Sequence, residues 1–283
     1  MLKGMSATAS ENVLVAVANG PYVPWARALF SGARARGKWA GDFALVTDTT
    51  TSEVRDLLDR GIHVLRLPRE SAPLFLKLGL FHEFFARWQR LAYFDCDVVI
   101  VRELAALLEL QGSAYADAES YPALWHFENT VHHLYERAAR LLPQHLPGFN
   151  SGVLWWECQA FCGEATYRMA NTYRKAFAPI NRHGQRADGS DQGIFNILLA
   201  GRWSPFPNKE VHYWQEPPGD ATIAIHFCHW MAPWLNDDPC PVVGGSCREV
   251  CQADLHSFSH RFPIGGPDGQ ILDLSHRFAR FVP

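Results

Sequence analysis

Arg90-Leu-Ala-Tyr-Phe-Asp-Cys-Asp-Val-Val-Ile-Val101 decides how the rest of the chain is read. From Leu91 to Val101 the apolar run is broken only by Asp95 and Asp97, the pattern of a strand buried on both faces. Residues i and i+2 of a strand share a face, so the two carboxylates point one way and Cys96 the other. Adjacent carboxylates repel, and keeping both ionised among apolar neighbours is costly. A hard divalent cation removes that cost, because Mg²⁺ and Mn²⁺ take oxygen ligands. A strand-to-turn junction with two solvated acids has the same local sequence. The segments that follow decide between the two.

Composition narrows the field. The chain has 283 residues, 48% hydrophobic and 19% charged, enough for a sizeable core in one large or two ordinary domains. The net charge is −3, and without a long basic run a nucleic-acid partner is not expected. Val13 to Ala18 is too short for a signal-peptide core. Nothing approaches the roughly 18 apolar residues of a membrane span. Seven scattered cysteines point to free thiols in a reducing cytoplasm. Cys240, Cys247, Cys251 and His256 invite a zinc reading but contain no Cys-x2-Cys pair, so small thiols packed inside a loop are expected instead. Ten tryptophans supply core, with some available as a platform for a sugar ring or an apolar acceptor.

Residues 1–11 read as a polar leader. Asn12 to Ala18 reads as a buried strand, broken by Asn19-Gly20-Pro21 and followed by a helix over Val23–Arg36. Asp42–Thr47 is a second strand, Ser52–Arg60 a helix, and Ile62–Leu67 a third strand. Ala72–Trp88 reads as a long amphipathic helix leading to the Asp95/Asp97 strand. Alternating strand and helix argue an α/β fold with a mainly parallel sheet covered on both faces. Ligands in such sheets bind at the carboxyl ends of strands, where Asn19, Thr47 and the two aspartates fall. Residues 119–147 are rich in aromatics and histidine, with a helix expected over Asn129–Leu142. They are read either as a surface helix packed by its aromatic stripe or as part of an acceptor wall. The tail from Pro233 is rich in Gly, Pro, Cys and His and shows little periodicity. One domain over residues 12–235, with a C-terminal extension over 236–283 packed on it, is expected.

Three later segments complete the pattern. Phe149-Asn-Ser-Gly-Val-Leu-Trp-Trp156 combines a turn with a buried strand; Gly152 permits close backbone approach, and Asn150 and Ser151 put polar groups beside it. Ala187-Asp-Gly-Ser-Asp-Gln-Gly-Ile-Phe-Asn196 is a polar turn opening a helix. Ile223-Ala-Ile-His-Phe227 is a late strand that delivers His226, a possible third metal ligand.

In their order and spacing these pieces resemble the glycogenin-like retaining glycosyltransferases, family 8, with their Rossmann-like GT-A fold. The stretches that carry the resemblance are VLVAVANGPYVPWARAL, LKLGLFHEFFARWQRLAYFDCDVVIV, FNSGVLWW, DGSDQGIFN and AIHFCHWMAPW, spanning roughly residues 12–235. The resemblance implies a hexosyltransferase with a uridine-based nucleotide-sugar donor, glucose or galactose by default, and Mn²⁺ or Mg²⁺ bridging the diphosphate. The acceptor would be a saccharide, a lipid-linked sugar, a protein side chain or a small metabolite. Asp95, Asp97 and His226 match the family's metal ligands. Asn19 and Tyr22 match nucleoside contacts, and Lys77 matches a donor-contacting lysine. Asn150 and Ser151 match residues beside the donor sugar. Asp188, Asp191 and Gln192 match the segment facing the sugar hydroxyls and the anomeric carbon.

The chain departs from the family in two places. The usual late His-x-x-Gly-x-x-Lys-Pro-Trp is His226-Phe-Cys-His-Trp-Met-Ala-Pro-Trp234. Ala232 replaces the diphosphate-gripping lysine, and His229 replaces the glycine and is the candidate to compensate. The acidic residue often found after the first-strand Asn is Gly20. The missing lysine motivates an alternative: a nucleotide-sugar-binding protein, or a slow donor hydrolase, that has lost transfer. A nucleotidylyltransferase is disfavoured, because the basic Gly-rich opening loop of such enzymes is missing.

Overall fold

The computed structural model describes residues 10–69, 73–125, 132–177, 190–214, 216–227, 232–240, 242–264 and 269–275. Its strands are β1 Asn12–Val17, β2 Asp42–Thr47, β3 His63–Arg66, β4 Arg90–Phe94, β5 Val98–Ile100, β6 Ala114–Pro122, β7 Pro147–Glu157, β8 Ser204–Pro205, β9 Val211–Tyr213, β10 Ala224–His226 and β11 Ile271–Asp273. The α-helices of eight residues or more are α1 Val23–Ala35, α2 His132–Ala139, α3 Glu164–Phe177, α4 Ser190–Leu198 and α5 Cys247–Arg261. Eight strands form the main sheet in the order β11-β3-β2-β1-β4-β7-β6-β8, and β5-β10-β9 form a small second sheet. From β11 to β4 every neighbour is parallel; β7 then runs antiparallel to both β4 and β6.

The strands read as continuous apolar runs because both faces are covered. Val13, Leu14, Val15 and Ala16 are fully buried. Leu14 and Ala16 pack with Phe30 of α1 on one face, while Val13 and Val15 pack with Phe81 and Phe195 on the other. Trp155 and Trp156 divide the same way, one into each core layer, as the two-residue strand period requires. Each fully buried Val, Leu or Phe side chain contributes about 1.5–3 kcal/mol.

Four expectations need correction. The long helix over Ala72–Trp88 is replaced by two 3-10 segments, Pro73–Phe81 and Glu83–Arg87. Leu74 is exposed, but Phe75 to Phe81 are all buried, so the first segment has no continuous solvent stripe and is not an amphipathic α-helix. It lies tight on β2: a Cβ on Gly79 would stand 2.8 Å from both Val46 Cγ1 and Leu67 Cδ1. His82 divides the two segments by accepting the Phe84 N–H at Nδ1 (2.9 Å). The helix expected over Ser52–Arg60 shrinks to Arg55–Leu58, because Glu53 folds back on the Thr50 N–H (3.0 Å) and the chain turns first. The strand through Asp95 and Asp97 stops at Phe94 and resumes at Val98 in the other sheet, with a turn between (Val98 N–H to Asp95 C=O, 3.1 Å).

The fourth correction concerns the tail, which carries a fifteen-residue helix. Ser246 and Glu249 form a complete capping box at its start, a signal legible as Ser-x-x-Glu. Helix α5 packs on α1, where the buried Asp254 accepts from both terminal guanidinium nitrogens of Arg36 (3.0 and 2.5 Å) and from Arg261 (3.0 Å). Strand β11 adds to the sheet edge beside β3. The expected helix over Asn129–Leu142 is described over His132–Ala139. Residues 1–9 of the expected leader lie outside the described residues.

Candidate active site

The site forms where three strand ends meet. Strands β1 and β4 are parallel neighbours, so the loops carrying Asn19 and Asp95 emerge on the same side. Strand β7 runs back along β4 and places Gly152 C=O on the Asp95 N–H (2.7 Å). Strand β10 pairs His226 with Val98, and the Phe227 N–H donates to Asp97 C=O (3.0 Å). Backbone pairing therefore brings residues 95, 97, 152 and 226 together despite their separation in sequence.

Asp95, Asp97 and His226 each offer one ligand atom, all within 4.8 Å of one another. No other group of three or more His, Cys, Asp or Glu meets this criterion among the described residues. Cys240, Cys247 and Cys251 are buried in an apolar cluster with Val250 and Phe227, packed inside as small thiols. His226 Nε2 lies 3.4 Å from Asp97 Oδ1 and 3.9 Å from Asp95 Oδ2. The Cys96 side chain turns away, as strand parity predicts, and its thiol meets Val17 C=O at 3.5 Å. Burial and the two neighbouring aspartates push that thiol up.

Lys77 stands between two carboxylates, 2.9 Å from Asp95 Oδ2 and 3.4 Å from Asp191 Oδ2. Burial works to lower its ammonium, but Asp95 and Asp191 outweigh burial and hold it above its ordinary value. Burial pushes the Asp95 carboxyl up; Lys77 opposes this and Asp97 adds to it. Tyr93 OH donates to Asp95 Oδ1. Three carboxylates thus face one ammonium, and Asp97 Oδ1 is buried without a hydrogen bond. Such a donor set, carboxylate oxygens with one imidazole nitrogen and excess negative charge, fits a divalent cation.

The Gln192 amide is held at both ends: its oxygen accepts the Ser151 N–H (3.4 Å), and its nitrogen donates to Glu119 (3.0 Å). Asn196, one turn further along α4, brackets the Phe149 backbone: its Oδ1 accepts the Phe149 N–H (3.1 Å) and its Nδ2 donates to the Phe149 C=O (3.0 Å). These bonds tie α4 to β7 and set Asp191 and Gln192 beside Asn150 and Ser151. Asn150 Oδ1 accepts the Gly152 N–H (2.7 Å) and shapes that turn.

Lys77, Asp95, Asp97, Asp191 and His226 form one connected group. Ser151 and Gln192 adjoin it, with Asn150 in the same turn. Asn19 and Tyr22 stand on the loop after β1, where Asn19 C=O accepts the Tyr22 N–H (2.8 Å). The half-exposed Tyr22 meets Trp234 edge-on at 6.0 Å, and Trp234 stacks on Trp25 at 4.4 Å. The loop carrying Ala232 therefore docks beside the first-strand loop. Asp188 and His229 lie outside the described residues.

Sequence reasoning missed Tyr93, Glu119 and Asp117. Tyr93 was legible, since it precedes Asp95 by two and shares its face. Glu119 and Asp117 lie on β6, which has no strong apolar alternation at that end. Burial pushes the Asp117 carboxyl up to about 6, against a hydrogen bond from Tyr213 and the nearby His226.

A mainly parallel mixed sheet with this acidic strand end is the architecture of GT-A glycosyltransferases. The sequence profile of Glycosyl transferase family 8 matches residues 63–238, more than half the chain, and the chain belongs to that family. A search of curated protein sequences finds no significant match. Among solved structures, it is similar to the galactosyltransferase LgtC in complex with donor and acceptor sugar analogues. The two share 15% identity over 87% of this chain and 95% of LgtC, with a TM-score of 0.58. The glycosyltransferase GlyE of Streptococcus pneumoniae aligns at 15% identity over 89% of this chain and 62% of its own, with a TM-score of 0.60. The bifunctional glycosyltransferase WbbM aligns at 12% identity over 91% of this chain and 52% of its own, with a TM-score of 0.58. No helix among the described residues is long and apolar enough to cross a membrane.

Proposed function

We propose that this chain transfers a hexose, glucose or galactose, from a uridine-diphosphate sugar to an acceptor hydroxyl with retention of configuration. The observation that carries the reading is the meeting of Asp95, Asp97 and His226 within 4.8 Å, with Asp191 joined to the same group through Lys77. Mn²⁺ or Mg²⁺ held by Asp95, Asp97 and His226 supplies Lewis-acid neutralisation of the leaving diphosphate. Lys77, charged and nearly buried, adds a fixed positive charge beside the same group.

Asn19 and Tyr22 hold the nucleoside, and Asn150 and Ser151 line the donor sugar. As positive charge develops at the anomeric carbon, Asp191 offers a carboxylate and Gln192 an oriented amide oxygen. Ser151 and Glu119 fix that amide, so it needs no reorganisation during reaction. Asp188 holds sugar hydroxyls. The six free thiols among the described residues support a reducing, cytoplasmic setting. Ala232, in place of the family's lysine, favours a second reading: a donor-binding protein or slow hydrolase, unless His229 compensates.

Thermal unfolding with uridine diphosphate tests the first step. A ligand at one hundred times its dissociation constant stabilises the folded state by about 2.7 kcal/mol. Uridine diphosphate should raise the melting temperature with Mn²⁺ and do little with a chelator; equal shifts in both conditions would sink the metal-bridged site. Release of free glucose or galactose from the donor, with no product on any acceptor, would favour the second reading.

A further inference from the structure

The His226 imidazole has a neighbour besides Gly152 and the two aspartates. The ring of Tyr213 lies 5.9 Å from it, centroid to centroid, with the planes 28° apart, within the range of offset-stacked rings. Strands β9 and β10 run parallel with Tyr213 and His226 as register partners, so the two side chains rise from one face of the small sheet. The next pair, Trp214 and Phe227, stacks on the opposite face at 6.2 Å and 10°. The Trp214 N–H also donates to His226 C=O (3.2 Å). Aromatic pairs on both faces and this ladder bond fix the register on which the Tyr213–His226 contact depends.

Tyr213 is itself held from the other sheet. Its hydroxyl bonds to the Asp117 carboxylate, and Asp117 belongs to β6 of the main sheet. The β6–β7 ladder shifts register between Ala116 and Asp117. Such an irregularity re-aims the side chain beside it, here toward β9. Contacts therefore run from Asp117 through Tyr213 to His226, and neither Asp117 nor Tyr213 belongs to the three-residue group of candidate ligands.

A residue that only filled space at position 213 would need neither a flat ring nor an anchored hydroxyl. Tyr213 has both, and its ring faces the imidazole whose Nε2 lies 3.4 Å from Asp97 Oδ1. Groups that orient a metal-ligating histidine from behind change metal affinity by about 10–100-fold when removed.

We infer that Tyr213 is a positioning residue for His226, holding the imidazole plane so that Nε2 faces Asp95 and Asp97, and that Asp117 anchors Tyr213 in turn. This rests on the metal reading above.

The test titrates Mn²⁺ into the full chain, read by the free-ion electron paramagnetic signal. Tyr213→Leu keeps apolar bulk without a flat face and should weaken Mn²⁺ binding by about tenfold. Tyr213→Phe keeps the ring and loses only the anchor, so it should restore most of the affinity and stay within about threefold of wild type. Asp117→Ala should also cost about threefold, and Asp117→Asn, which still accepts the tyrosine hydroxyl, should cost less. The double variant Tyr213→Phe/Asp117→Ala should be no weaker than the weaker single variant, because both changes break one bond. Leucine and phenylalanine at 213 giving equal affinity would overturn the positioning role, since bulk alone would then suffice. Effects of Tyr213→Phe and Asp117→Ala that multiply would show that Asp117 does not act through Tyr213. A wild type that binds no Mn²⁺ would overturn the metal reading, and the role of Tyr213 with it.

Discussion

Gly152 and His226 are fitted to each other. A Cβ on Gly152 would lie 2.0 Å from His226 Cε1 and 2.5 Å from Nε2, closer than any real contact. The imidazole can face Asp95 and Asp97 only because position 152 has no side chain. Gly152→Ala should push the ring out of place and weaken Mn²⁺ binding by about tenfold or more, measured by titration of the free-ion electron paramagnetic signal. Overpacking of this kind costs about 1–3 kcal/mol of stability, so the variant should still fold. Unchanged Mn²⁺ affinity would remove His226 from the metal site.

The two aspartates should respond differently to loss of charge. Asp95 accepts from Lys77 (2.9 Å) and from Tyr93, whereas Asp97 Oδ1 is buried without a hydrogen bond. Asp97→Asn removes a repelled charge, so stability without metal should hold or rise. Asp95→Asn takes one ion-pair partner from the nearly buried Lys77 and should cost about 1–3 kcal/mol. Both should abolish Mn²⁺ binding. Urea denaturation without metal separates the two effects; equal destabilisation by both variants would make Asp97 a structural turn residue.

Much of this was legible in the sequence, for reasons specific to each part. Strands β1, β2 and β10 lie where their apolar runs placed them, because strands buried on both faces need no help from distant residues to be recognised. Asp95, Asp97 and His226 could be grouped through the family resemblance, and β5–β10 pairing brings them together. Lys77, expected on a helix, lies in a 3-10 segment and pairs there with Asp95 and Asp191. Periodicity could not separate the two helix types where the run from Phe75 to Phe81 is buried throughout. Glu119 was not legible, since its part in the site depends on register shifts between β6 and β7 that no local pattern records. Helix α5 was missed because its hydrophobic face is short and rests on an ion pair between Arg36 and Asp254, far apart in sequence.

That ion pair should be the main anchor of the C-terminal segment. Asp254 is 4% exposed and takes Arg36 and Arg261 together, while Arg261 also bonds Ser31 Oγ in α1 (2.8 Å). Asp254→Ala would leave two partly buried guanidinium groups without their counter-charge. Removing one partner of a buried pair costs about 3–5 kcal/mol. The expected result is a lower urea midpoint, with faster proteolysis near residues 236–264 ahead of the rest of the chain. A loss below about 1 kcal/mol would mean that α5 is held chiefly by its apolar contacts.

The opposite sheet edge should respond to acid. His63 on β3 is mostly buried, and its Nδ1 accepts the Gln270 N–H (3.1 Å) next to β11. A nitrogen that accepts this bond must be unprotonated. Burial, with Arg87 nearby, lowers the imidazole to about 4, although Asp42 pulls the other way. Above pH ~6.5 the ring is neutral both folded and unfolded, and its contribution to stability is complete. As pH falls from 6.5 toward 4, the unfolded chain binds a proton that folded His63 refuses, so stability falls across this window. The loss levels off below about 4, and its full size is about 3 kcal/mol. His63→Gln supplies an acceptor that does not titrate. The difference in urea stability between wild type and variant should therefore change between pH 7 and pH 4 in favour of the variant. Parallel pH profiles for the two proteins would show that His63 is not held neutral at this edge.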